Sequence, residues 1–393
     1  MRTTRSIAVI VLLAALLGAL HADQRAATWA AMPLPVWCGD SWDGNAVSDG
    51  QRLYLVSREN VHRFWGAIRV RSSDDGGLTW SAPGAASLGD APTSARPTIA
   101  LGPDGAVWVA FARRGLLPAT QSLMIGRSTD RGATWPVLAR ASPVSIGLVG
   151  LPVLLITPDV RLAAYTDGVS GATIVQLLGP DGRPDGMYSV LGNTTRLLYS
   201  DSDALDAGIA LAAIGRHVVA LWHATDRRLE VSLSDDAGRS WRGVAPLSIT
   251  AAWARPKLLV SDGRIYALVD QTSGSAYSTW LELASSSDGG VTWEHGPPLS
   301  NGLWSRDGVV SRAGGSWILA YSACVGVHEC TTGPQIWYRS SMDGRHWTDP
   351  EALTEPGNYY IVGAGMTAGR AWAIWWQSFS ASDEDRALGG ATR

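Results

Sequence analysis

The chain has 393 residues, of which 46% are hydrophobic and 17% charged, and its formal net charge is −3. This balance is enough for one large core and argues against disorder. It gives no support for a nucleic-acid partner or for adsorption to an anionic membrane.

Residues 1–22 read as a signal peptide or an N-terminal anchor. Arg2 and Arg5 precede an apolar run over residues 7–20, the length of an h-region and short for a membrane span. Cleavage after Ala22 would release residues 23–393 as one exported domain. An uncleaved segment would be the chain's membrane contact. Cys324 and Cys330 bracket a short loop and can close a disulfide in an oxidising compartment. With His328 they form the alternative, three ligands of a metal site. Cys38 is then free or pairs with one of them.

A short pattern, Ser-x-Asp-x-Gly-x-Thr/Ser-Trp, recurs along the chain. It first appears as Ser73-Asp74-Asp75-Gly76-Gly77-Leu78-Thr79-Trp80 and returns at 128–135, 234–241 and 286–293, with a copy one residue shorter at 341–347. The central aspartates, Asp75, Asp130, Asp236, Asp288 and Asp343, mark a period of roughly 53 residues, which indicates a repeat architecture. One interval is double, with a worn copy expected near Gly179-Pro180-Asp181-Gly182. The serine and aspartate suit a tight loop, the glycine supplies positive φ, and the tryptophan opens the next strand.

Pairs of strand-like segments precede each copy. Examples are 97–101 with 106–112 and 257–260 with 264–269; others begin near Asn45, Leu151, Leu205, Gly308 and Tyr360. Seven starts at this spacing predict an all-β fold, a β-propeller of four-stranded blades, with seven blades favoured over six. Too little chain follows Tyr360 for a whole blade, so a strand around residues 26–36 is expected to complete the last sheet and close the ring. The turns occupy one face, so the blade entries line the opposite, axial mouth. Those entries are Asp43, Arg96, Leu151, Asp203 with Asp206, Arg255, Arg306 with Asp307, and Tyr359 with Tyr360.

The repeat resembles the Asp-box, or bacterial neuraminidase repeat, of the sialidase superfamily, where the box is a structural turn on the face away from the active site. The box aspartates are therefore not candidates for catalysis. The resemblance implies three arginines that clamp a substrate carboxylate, a nucleophilic Tyr and a carboxylate acid/base. Arg96, Arg255 and Arg306 take the clamp positions and Tyr360 (or Tyr359) that of the nucleophile, with the family's relative blade spacing. The chain departs from the pattern elsewhere. The Arg-Ile-Pro motif is missing, and the loop 113–120, where the acid is expected, holds no carboxylate. Asp43 and Glu59, or else Asp206, would have to substitute from neighbouring blades.

The expected ligand is a carbohydrate or glycoconjugate, bound by a monomer. The rival is a catalytically silent binding or assembly propeller, since such proteins also carry these boxes. Trp37, Trp42, Trp65, Trp253 and Trp304 fall in expected mouth loops, where an indole either stacks on a sugar or packs between blades. His62 reads as part of a solvated loop and His223 as an edge histidine. No nucleotide-binding glycine motif or nucleophile elbow is present, and no cofactor or metal is expected.

Overall fold

Each repeated turn is built by its own side chains. In the first copy the Ser73 hydroxyl donates to Asp75 (2.7 Å) and accepts from the amide of Gly77 (2.7 Å). Asp75 accepts from the Thr79 amide (2.9 Å) and hydroxyl (2.6 Å). The turns at Asp130, Asp236 and Asp288 repeat these bonds. At Asp343 the ring of His346 replaces the hydroxyl (2.6 Å). The Thr134 hydroxyl and amide, then the Ser128 hydroxyl, hold the Asp130 carboxyl at about 2. The Thr292 hydroxyl and amide and then Ser286 do the same for Asp288. Both are cases of hydrogen bonds that favour the ionised form.

These turns join the third and fourth strands of sheets arranged in a ring. The computed structural model describes residues 29–34, 37–38, 44–62, 65–83, 97–114, 121–142, 152–167, 170–193, 208–224, 228–250, 256–272, 278–300, 305–324, 333–378 and 386–393. The molecule is a seven-bladed β-propeller. Its innermost strands are Gly44–Ser48, Thr98–Leu101, Val153–Ile156, Ile209–Ile214, Lys257–Ser261, Arg306–Ala313 and Asn358–Thr367. Each contacts the next, and the last contacts the first. Among the described residues, five blades show four or more strands and blades one and five show three. In blade five, isolated bridges from Glu282 to Pro298 and from Ser285 to Glu294 mark the fourth edge.

Closure follows the expected route. Ala30 pairs with Thr392 and Ala31 with Ala391, so a strand from the start of the chain covers the last blade. The Met32 amide then donates to the Gly390 carbonyl (2.8 Å). At the same seam, the Arg393 guanidinium lies 5.1 Å from the Trp29 ring and 5.0 Å from that of Tyr338.

Seven hydrophobic clusters of the described residues fill the seven interfaces between blades. The turns add to this packing because their glycines meet the preceding blade. Gly238, at φ +89°, faces Leu162 of blade three, and Gly290, at φ +93°, faces Val219 of blade four. A side chain at either place would collide with that neighbour and strain the backbone.

Two expectations are adjusted. Blade three carries a different turn where the worn copy was expected. Gly179 and Gly182 bond as Gly102 and Gly105 do in the Gly-Pro-Asp-Gly hairpin of blade two, amide to carbonyl across four residues. Asp181 there accepts from the Arg183 amide (3.1 Å). Trp37 and Trp65 belong to strands, Trp37–Cys38 and Trp65–Ser73, because the chain stays extended closer to the mouth than turn signals suggested. Cys324 is disulfide-bonded, which removes its thiol from any metal set. Cys330 and His328 lie outside the described residues.

Candidate functional site

All seven inner strands begin at one end of the axis, and their first residues enclose a narrow cavity of about 90 Å³. Gly44, Thr98, Val153, Ile209, Lys257, Asp307 and Tyr360 each contribute from one blade. The described lining residues that carry polar side chains are Asn45, Thr98, Lys257, Asp307 and Tyr360. The space admits a few waters and lies below the volume of ordinary ligand pockets. It is the floor of the mouth.

Backbone anchors set the two best-defined positions. The Thr279 hydroxyl of blade five donates to the carbonyl of Ser305 (3.0 Å), the residue before Arg306. The Ser322 hydroxyl of blade six donates to the carbonyl of Tyr359 (2.9 Å), the residue before Tyr360. Blades five and six thus pin the entries of blades six and seven. Asp307 follows at φ 54°, a left-handed conformation that Asp tolerates better than most residues. Arg306 pairs with Ser322 and Val309 with Ala320, so Asp307 and Gly308 together oppose a single residue. This is a β-bulge, a device that re-aims side chains at barrel and sheet rims. Gly308 fits beneath it because a Cβ there would stand 2.9 Å from Leu268.

Tyr359 and Tyr360 separate by strand alternation. Tyr359 packs between blades six and seven, and its hydroxyl accepts from Gln377 (3.2 Å). Burial pushes its phenol up, since desolvation disfavours the ionised form. Tyr360 pairs across the ladder with Trp376 and lines the cavity.

The expected site residues divide in three. Tyr360 is on the cavity wall. Glu59 and Arg306 stand in described strands, but their side chains are outside the description. Glu59 pairs with Ala67, two residues beyond the Gly44–Ser57 pair and so towards the mouth. Asp43, Arg96 and Arg255, with Asp206, lie outside the described residues. In sequence Asp43 directly precedes Gly44, Arg96 precedes Pro97, and Arg255 is two residues before Lys257, all three of which line the cavity. His223 ends the strand His217–His223, the second of its blade, and is buried.

Lys257 was not singled out from the sequence as a site residue. The available signal was compositional, because it is the one lysine among 32 basic residues. It lines the same cavity as Asp307, the one acidic residue among the described lining residues.

No protein-family model and no curated protein sequence matches this chain. Solved structures do share its fold. A polysaccharide lyase of family PL25, an ulvan lyase, matches with a TM-score of 0.56 and 10% identity over 91% of this chain and 97% of its own. An α-L-arabinanase of Penicillium chrysogenum matches at 0.51 with 12% identity, over 93% and 98%. A protein of unknown function from Dyadobacter fermentans matches at 0.51 with 14% identity, over 90% and 94%.

Proposed function

We propose that this chain is an exported carbohydrate-active propeller that works at its axial mouth as a sialidase-like exo-glycosidase of acidic sugars. The observation that carries the reading is the presence of Tyr360 on the cavity wall with Lys257 and Asp307 beside the same axis. Propellers of this shape include an ulvan lyase and an α-L-arabinanase, which supports a carbohydrate ligand as a matter of analogy. Arg96, Arg255 and Arg306 would clamp the sugar's carboxylate, since guanidinium forks match it and stay charged. One of Asp43 and Glu59, ionised, would take the Tyr360 phenol proton as its oxygen attacks the anomeric carbon, and the other, protonated, would give its proton to the departing oxygen as the glycosidic bond breaks. Water would then release the sugar, its proton restoring the second acid while the first carboxyl returns the phenol proton to Tyr360. Residues 1–22 would direct or anchor the protein outside the cytoplasm.

A second reading, a silent carbohydrate-binding propeller, draws support from the single carboxylate among the described lining residues, Asp307. Release of 4-methylumbelliferone from a sialoside, a glucuronide and an arabinofuranoside separates the two. Turnover of an acidic substrate by the wild type and its loss in Tyr360→Phe support the enzyme. Binding of the free sugar without turnover supports the silent reading.

A further inference from the structure

A second recess lies on the side of the molecule, between blades three and four, and encloses about 390 Å³. Both sheets are interrupted there. In blade three, Thr173 pairs with Gly192 and Ile174 with Val190, which leaves Leu191 as a bulge in the outer strand Pro184–Asn193. In blade four the outer edge is split into Arg242–Gly243 and Leu247–Thr250. Its ladder passes from Leu229 to Ser232, so no outer-strand residue stands opposite Glu230. Coincident irregularities on facing sheets leave an opening that regular blades would close.

The chemistry of the wall is specific. Trp222 is 4% exposed, and its indole N–H is enclosed, with no acceptor among the described residues. Glu230 stands directly across the ladder from Trp222, so both project from the same side of the sheet. Trp241 forms another wall. It is half-buried, and its own N–H is committed to the Gly238 carbonyl (2.9 Å), which fixes the ring. Asn193 and Gly192 close the recess from blade three. A Cβ at 192 would stand 3.3 Å from the Trp222 ring, so glycine keeps that edge uncrowded.

We infer that this recess is a binding site for a neutral sugar residue of an oligosaccharide or polysaccharide, separate from the axial cavity. A sugar offers an apolar C–H face for the Trp241 ring and hydroxyls that both donate and accept. One hydroxyl would donate to the Glu230 carboxylate, and a neighbour would accept from the Asn193 side-chain amide. Glu230 is the one charged residue among the described residues that line the recess, and a carboxylate there disfavours an acidic sugar. The site needs no chemistry at the axial mouth, so it would hold a chain whether or not Tyr360 acts on it.

The test is electrophoresis of the full chain in native gels that contain neutral arabinan, xylan or xyloglucan, with anionic ulvan as the contrast. Retardation by at least one neutral polysaccharide is expected. Glu230→Gln and Asn193→Ala should each weaken it, by about tenfold in Kd for loss of a charge-assisted hydrogen bond at Glu230. Trp241→Ala should abolish it, and thermal melting checks that each variant is folded. Tyr360→Phe should leave retardation unchanged. No retardation in any neutral gel would overturn the inference, as would retardation that Glu230→Gln and Asn193→Ala leave intact. Equal loss in Tyr360→Phe would assign the binding to the axial mouth instead and also overturn it.

Discussion

His217 of blade four donates through Nε2 to the carbonyl oxygen of Gly289, 2.7 Å away in the repeated turn of blade five. Its other ring nitrogen lies 2.6 Å from the carboxylate of Asp235, in the turn of its own blade. One side chain thereby joins two successive turns across a blade interface. His217→Ala should lower stability by about 1–3 kcal/mol, the usual effect of leaving such partners unmet. Urea unfolding monitored by tryptophan fluorescence measures this directly.

The turn glycines make a matched pair with a control. Gly238→Ala places a methyl 2.8 Å from Leu162 at φ +89°, which should cost about 1–3 kcal/mol through strain and overpacking. Gly243→Ala meets nothing within 4 Å and should change the melting temperature little. Calorimetry of the two variants tests whether turn-to-blade packing holds the ring together.

Ring closure depends on a residue near the start of the chain. Met32 is 5% exposed, within the cluster between blades seven and one. Met32→Ala should cost about 2–5 kcal/mol. It should also hasten limited proteolysis at that seam. Unchanged proteolysis would show that the ring closes without it.

Acid should loosen the turns before it affects the cores. The carboxyls of Asp130, Asp236 and Asp288 are held at about 2 against an ordinary 3.8. A depressed folded value means their stabilisation is complete above the unfolded value and disappears as pH falls from 3.8 towards 2. Urea midpoints should therefore drop across that window. Asp288→Asn should start lower at pH 7 and fall less steeply.

Much of this fold is legible in the sequence because each turn is a local device. Ser, Asp, Gly, Thr and Trp bond within eight residues, so their spacing survives without tertiary information. The closing strand follows from counting, since the seventh blade lacks chain. Blade three was harder, because Gly179-Pro180-Asp181-Gly182 uses a hairpin turn that shares only its Asp and Gly with the pattern. In the first five blades the residues read as the mouth, Asp43, Arg96, Leu151, Asp203 with Asp206, and Arg255, lie outside the described residues, and Gly44, Pro97, Pro152, Gly208 and Lys257 beside them in sequence reach the cavity. Asp307 and Tyr360 were read at their places. The bulge that carries Asp307 is visible only in the register of its pairing.

Trapping the glycosyl intermediate tests the proposed covalent role of Tyr360 at the axial mouth. The protein is incubated with a fluorinated acidic glycoside that slows release of the sugar, then digested and analysed by peptide mass spectrometry. One sugar adduct per chain is expected, on Tyr360, and none in Tyr360→Phe. Turnover of the acidic glycoside with the adduct on another residue, or with no adduct at all, would contradict it.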